Sequence, residues 1–203
     1  MGKPGERKLQ ILQTLAGMLE TPKGEKITTA ALAARLDCSE AALYRHFASK
    51  AQMYDGLIEF IESSLFGVIN RIEAEEAQGL RQVEQILALL LSFAQRNRGM
   101  TRVLTGDALV NENERLQARI NQLHDKIEVA IKLALRVAAT QNQLSPDADF
   151  GALANILLCF VIGRWQQYAK SGFTREPAAL WAQQWPMLYI TCLDRKSTRL
   201  NSS

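Results

Sequence analysis

The segment Ser39 to Lys50 gathers the hydroxyls of Ser39 and Tyr44, the Glu40 carboxylate, the Arg45 guanidinium, the His46 imidazole and the Lys50 ammonium. Such groups gathered near one end of a short helix suit a polyanion. Hydroxyl and cationic groups bond phosphate oxygens, and the polar tips of a helix lying in a groove reach base edges. The same residues do not assemble a catalytic constellation. His46 and His124 are the two histidines of the chain, and neither lies at a spacing that pairs it with a nucleophile or a metal ligand. No phosphate-binding GxxxxGK[ST] loop, GxGxxG turn, HExxH helix or GxSxG elbow occurs, so no enzyme is expected. Cys38, Cys159 and Cys192 are widely separated and odd in number, which argues against a disulfide framework or a structural zinc site; no cofactor or metal is expected.

The elements that must position these groups can be read from caps and apolar spacing. Leu9, Leu12, Leu15, Ala16 and Leu19 recur at helical intervals over residues 6–21, ended by Pro22 and Gly24. A second helix starts after Thr28 or Thr29, whose hydroxyl can accept an orphan amide, and runs through AALAARL. Asp37 and Cys38 form a turn, and Ser39 caps a third helix, EAALYRHF, with Glu40 in its first turn. A short helix, a three-residue turn and another short helix have the geometry of a helix-turn-helix. Ala30, Ala33 and Ala34 permit close approach, and Leu32, Leu36, Leu43 and Phe47 supply apolar area against the first helix. Any helical hairpin would share that pattern; the polar outer edge is what favours duplex DNA. Tyr44 is expected to seal the head with its ring while its hydroxyl reaches phosphate. Lys50, just inside a helix start, is a candidate phosphate contact or a solvated charge.

Ser49 and Gln52 form a capping box for a long helix from Lys50 through Met53, Leu57, Ile61, Leu65 and Ile69. The expected organisation is a head (1–50), a helical body (51–194) and a disordered or foreign tail (195–203). The body reads as helices near 79–96, 99–111, 112–141, 147–171 and 178–193, broken at Gly99, Ser145-Pro146 and Gly172, with residues 141–143 as a loop. The fold class is therefore all-α. Phe150, Leu153, Ile156, Leu157, Phe160, Val161 and Trp165, together with Trp181, Trp185, Leu188 and Tyr189, fit either a four-helix dimer seam or a monomer's core.

Charge divides along the chain. Residues 1–50 carry eight Lys/Arg against five Asp/Glu, residues 51–194 thirteen against sixteen, and the tail adds Arg195, Lys196 and Arg199. Positive charge thus leads in the head, but an excess of this size is weak evidence for a polyanion partner, and the local pattern of charge matters more. No apolar run reaches the length of a bilayer span and no signal peptide is evident, so a cytoplasmic protein is expected.

Over ITTAALAARLDCSEAALYRHFASK the chain resembles the TetR family, and MYDGLIEFIESSL, RNRGMTRVLTGDAL and ERLQARINQL extend the likeness to its nucleoid-occlusion branch, across nearly residues 6–193. The resemblance implies a homodimer on palindromic chromosomal DNA, located at the nucleoid, that engages the C-terminal tail of the tubulin-like division protein FtsZ and blocks septum assembly there. It places DNA contacts at Thr28, Thr29, Ser39, Glu40, Ala41, Tyr44, Arg45, His46 and Lys50, and the partner groove at Leu89, Arg96 and Asn97. Val68 stands where an arginine is expected and Ser92 where a glycine is expected. Without the resemblance, Arg96, Asn97 and Arg98 read as an ordinary solvated helix end. The alternative within the family is a ligand-responsive repressor with a cavity in its body.

Overall fold

Hydroxyl caps set the first elements. The Ala31 N–H donates to Thr28 Oγ1 (3.1 Å), the Ala42 N–H to Ser39 Oγ (3.2 Å) and the Gln52 N–H to Ser49 Oγ (3.2 Å), so each hydroxyl satisfies an orphan amide at a helix start. The computed structural model describes residues 4–21 and 27–193, and among them every regular element is helical. These are α1 (Pro4–Leu19), α2 (Thr29–Arg35), α3 (Glu40–Tyr44), α4 (Lys50–Glu75), α5 (Gly79–Arg96), α6 (Arg98–Leu104), α7 (Glu114–Thr140), α8 (Phe150–Lys170) and α9 (Trp181–Leu193), with a 3-10 turn at Asp107–Leu109. Pro22, Gly24 and the tail 195–203 lie outside the described residues.

Three local expectations change. The recognition helix ends at Tyr44 rather than continuing to Phe47: the His46 and Phe47 amides both return to the Leu43 carbonyl, which turns Phe47 inward. The capping box is displaced, because Gln52 Oε1 accepts from the Ala48 N–H (2.9 Å) and not from the N-cap's own amide. The helix expected over 99–111 runs only from Arg98 to Leu104; Gly106 then takes a left-handed φ of 76° and a 3-10 turn follows. The break before it falls at Asn97, and Gly99 is a helical residue whose role is steric. A Cβ there would stand 1.9 Å from the Ala16 carbonyl oxygen, so only glycine lets α1 lie against α6.

The head closes on Ile11, Leu15 and Leu19 of α1, Leu32 and Ala33 of α2, and Leu43 and Phe47. Of the three alanines only Ala33 is buried; Ala30 and Ala34 face solvent. In the body, α7 packs against α4, α5 and α8. Gln141 and Gln143, beyond the end of α7, cap α5: Gln141 Oε1 accepts from the Gly79 N–H (2.9 Å) and Gln143 Oε1 from the Leu80 N–H (3.1 Å). Gln78, the N-cap residue of α5, makes no side-chain cap itself. Trp165 is fully buried between α5 and α7, its indole N–H donating to the Leu90 carbonyl (3.0 Å) and its ring 6.0 Å from that of His124.

The broad apolar run of α8 divides between two environments. Leu157, Val161 and Trp165 belong to the core, whereas Ile156 is 49% exposed and Phe160 lies half-buried against Trp181. Trp181, Trp185 and Tyr189 continue that outer face along α9, and Met187 is 67% exposed. No helix among the described residues is long and apolar enough to cross a membrane.

Candidate nucleic-acid interface and partner groove

The outer edge of the helix pair is polar because its apolar residues are committed inward. Thr28, Ser39, Glu40, Ala41, Tyr44 and Arg45 are exposed, and Thr29 and His46 are half-buried. Thr28 and Ser39 each cap a helix, which fixes the two starts on one side of the head. The Thr29 hydroxyl donates to the Glu40 carboxylate and ties those starts together. Tyr44 does not seal the head: it is 45% exposed. Phe47 has that task, at 8% exposure, with the Lys8 ammonium 5.6 Å from its ring centre. The Tyr44 ring instead projects from the end of α3.

Lys50 stands apart from the exposed set. It is the first residue of α4, but its ammonium lies 2.5 Å from Glu112 Oε1 in a pair whose side chains are 23% and 15% exposed. Sequence reasoning missed Glu112. Its partner is distant in the chain, and the surrounding VNENER carries no pattern that distinguishes one carboxylate from the next.

The body end of α5 forms the second candidate region. Leu89 is half-buried, Arg96 is exposed with Nε donating to the Ser92 carbonyl (3.3 Å), and Val68 on the neighbouring α4 is 37% exposed. Asn97 has a different position from Arg96: its side-chain amide donates to the Phe93 carbonyl (2.8 Å), and its own carbonyl accepts the Thr101 N–H (2.9 Å) and hydroxyl (3.0 Å). It is therefore the pivot between α5 and α6, which fixes where Arg96 ends up. The end of α8 and the turn after it brace the same corner, with Tyr168 donating to the Gln95 carbonyl (3.1 Å) and the Arg98 guanidinium 5.9 Å from the Phe173 ring centre.

Two half-buried titratable groups respond to their surroundings. Burial lowers the pKa of His124, only partly offset by its hydrogen bond to the Leu104 backbone and by the Asp125 charge, so the ring is a neutral packing element. Burial opposes ionisation of Asp107, yet hydrogen bonds from Arg102 and Lys170 and the charges of both outweigh it and hold the carboxyl below its ordinary value.

Residues 25–57 match the family described as bacterial regulatory proteins, tetR family, and residues 77–192 match the tetracyclin repressor-like, C-terminal domain of SlmA-like type. The chain is 49% identical over 183 residues to the nucleoid occlusion factor SlmA of Alteromonas mediterranea, covering 90% of this chain and 94% of that protein. It is 51% identical over 179 residues to the protein of the same name from Shewanella pealeana, covering 88% and 91% respectively. Among solved structures, a TetR transcription regulator from Haloarcula marismortui matches with a TM-score of 0.78 at 14% identity, over 93% of this chain and 99% of that one. The FadR regulator of Bacillus subtilis, in complex with stearoyl-CoA, matches with a TM-score of 0.73 at 13% identity, over 89% and 97%.

Proposed function

The chain belongs to the TetR family, in the branch of the nucleoid occlusion factor SlmA, and from that premise we propose that it binds palindromic chromosomal DNA as a homodimer and restrains FtsZ-dependent septum assembly over the nucleoid. The family is one of DNA-binding regulators, not enzymes. The observation that carries the DNA reading is the exposed edge of a closed head: Thr28, Ser39, Glu40, Ala41, Tyr44 and Arg45 face solvent while Leu32, Leu43 and Phe47 are spent on the core. In this reading α3 enters the major groove, the caps and Tyr44 meet phosphates, and Thr29 and His46 support them. Residues 1–50 act as the reading head and 51–194 as the body. The exposed apolar face of α8 and α9 joins two chains, so two heads meet the two halves of a palindrome.

In the same reading the FtsZ tail lies along α4 and α5, with an apolar side chain near Leu89 and a carboxylate on Arg96. Asn97 acts there as the residue that positions Arg96. Val68 cannot supply the charged contact of an arginine, and exposed Arg71 is the nearest replacement on α4. Trp165 occupies the space between α5 and α7, so a ligand-responsive repressor would need its cavity elsewhere in the body.

The test pairs two binding assays on wild type and Arg96→Ala, matched for helicity and dimer mass. One uses duplexes selected from a random pool, the other a labelled FtsZ C-terminal peptide. DNA affinity is expected to stay within a small factor, while peptide binding falls by about 2 to 5 kcal/mol if the contact is buried in the complex. A wild-type protein that ignores the peptide both with and without its DNA site would return the assignment to the repressor.

A further inference from the structure

Lys50 opens α4, and its ammonium already holds an anion. That anion is Glu112, whose Oε1 lies 2.5 Å from Nζ. The ammonium also lies 5.7 Å from the ring centre of Tyr54, a residue only 1% exposed, so the Lys50 chain is laid down along the helix surface instead of reaching outward. Glu112 is no loose surface carboxylate. Its N–H donates to the Leu109 carbonyl (2.9 Å) at the end of the 3-10 turn. The connector before it is braced on both sides: Arg102 Nε meets Asp107 Oδ2 (2.8 Å), Lys170 Nζ meets Asp107 Oδ1 (3.2 Å), and Gln166 Nε2 donates to the Thr105 carbonyl (3.1 Å). A body residue that follows this braced connector thus grips the lysine at the junction with the head.

Glu112 meets Lys50 only through the ammonium, beside Tyr54 and one turn along α4, and there it takes the charge-assisted hydrogen bond that a phosphate oxygen would take. Lys50 has three donors, so bridging both anions is geometrically open to it. Bridging would bring a carboxylate and a phosphate within a few ångströms of each other in a half-buried site, where like charges repel most. A phosphate that takes Lys50 therefore displaces Glu112.

We infer that Glu112 is an internal stand-in for DNA phosphate on Lys50, so that the DNA-free chain keeps this contact filled and duplex binding must evict the carboxylate. The inference rests on the DNA-binding reading above. It makes Glu112 a competitor for a DNA contact, acting through the lysine and touching no DNA itself. Because phosphate contacts carry no sequence information, the cost falls on every duplex alike and weakens non-specific binding as much as specific binding.

A double-mutant cycle on the full chain tests it, using wild type, Glu112→Gln, Lys50→Ala and the double variant, each checked for thermal midpoint and dimer mass. The probes are a duplex selected by the wild type and a random-sequence duplex. Glu112→Gln keeps the hydrogen-bond acceptor and removes its charge, so both duplexes are expected to bind roughly fivefold more tightly, the scale of one modest ion pair. Glu112→Asp keeps the charge and is expected to stay close to wild type. Lys50→Ala is expected to bind more weakly, with the salt slope reduced by about 0.9. In the Lys50→Ala background, Glu112→Gln is expected to change nothing. An equal gain in that background would overturn the inference, because the carboxylate would then be repelling DNA at a distance and not competing for the lysine. Unchanged affinity for folded Glu112→Gln or Glu112→Ala would overturn it as well, with the DNA reading intact. Absence of duplex binding by the wild type would overturn both.

Discussion

Replacing Gly99 by alanine adds one methyl group where the head meets the body. That carbon would stand 1.9 Å from the Ala16 carbonyl oxygen, 2.8 Å from the Ala16 carbonyl carbon and 3.2 Å from Leu19 Cβ. The nearest obstacle is backbone, so no side chain can swing aside, and α1 must retreat from α6 by on the order of 1 Å to restore ordinary contact. Overpacking costs about 1 to 3 kcal/mol, and a backbone clash belongs at the upper end. Alanine in place of a helical glycine returns about 1 kcal/mol, leaving a net loss of about 2 kcal/mol. For a chain of this size that is a fall of roughly 4 to 8 °C in melting temperature. The same retreat stretches the bonds from Arg102 Nη1 to the Leu19 (3.3 Å) and Thr21 (3.1 Å) carbonyls and tilts the head, so duplex affinity is expected to fall about tenfold. Circular dichroism melts at one fixed protein concentration and a duplex titration read the two effects. Gly17→Ala, on α1 with nothing within 4 Å of the added carbon, is the control and is expected to melt at or above wild type. A Gly99→Ala protein that melts as high as Gly17→Ala would refute the packing argument.

Trp165→Ala removes a fully buried indole and its bond to Leu90, so about 3 to 5 kcal/mol of stability should be lost; a denaturant midpoint within error of wild type would contradict that. His124 has a folded pKa below its ordinary 6.5, so the unfolded chain binds the proton more readily and stability present above that value drains away as pH falls through it. Melting midpoints at about pH 7.5 and about 5.5 should therefore differ less for His124→Gln than for wild type, and equal differences would remove His124 from the acid response. Tyr44→Phe should weaken duplex binding by a few-fold at constant thermal stability, since the ring is 45% exposed and the proposed function sets its hydroxyl on phosphate; unchanged affinity in a titration would eliminate the hydroxyl as a contact.

The helix starts at Thr28, Ser39 and Ser49 were legible because each cap is a local event, with a hydroxyl and the amide it accepts lying within three residues. Gly79–Arg96 was legible because its apolar stripe is periodic over the whole helix. The early end of α3 was not, since EAALYRHF has good helical composition throughout and only the docking of Phe47 on α1 and α4 pulls the chain out of it. Gly99 reads in sequence as a helix breaker; its close approach to Ala16 depends on a helix far away in the chain. The same distance hides the candidate site's third dimension. The types of Thr28, Glu40, Tyr44, Arg45 and Arg96 already suggested what they could bond. That Lys50 is engaged by Glu112, and that Asn97 is a pivot, depends on contacts that spacing does not encode.

Mapping where the tagged protein sits on the chromosome of its own cells tests the central claim most directly. A nucleoid occlusion factor is expected at many sites sharing one near-palindromic sequence and dispersed along the chromosome, with purified protein selecting the same sequence from a random duplex pool. Occupancy confined to a single promoter would contradict the account.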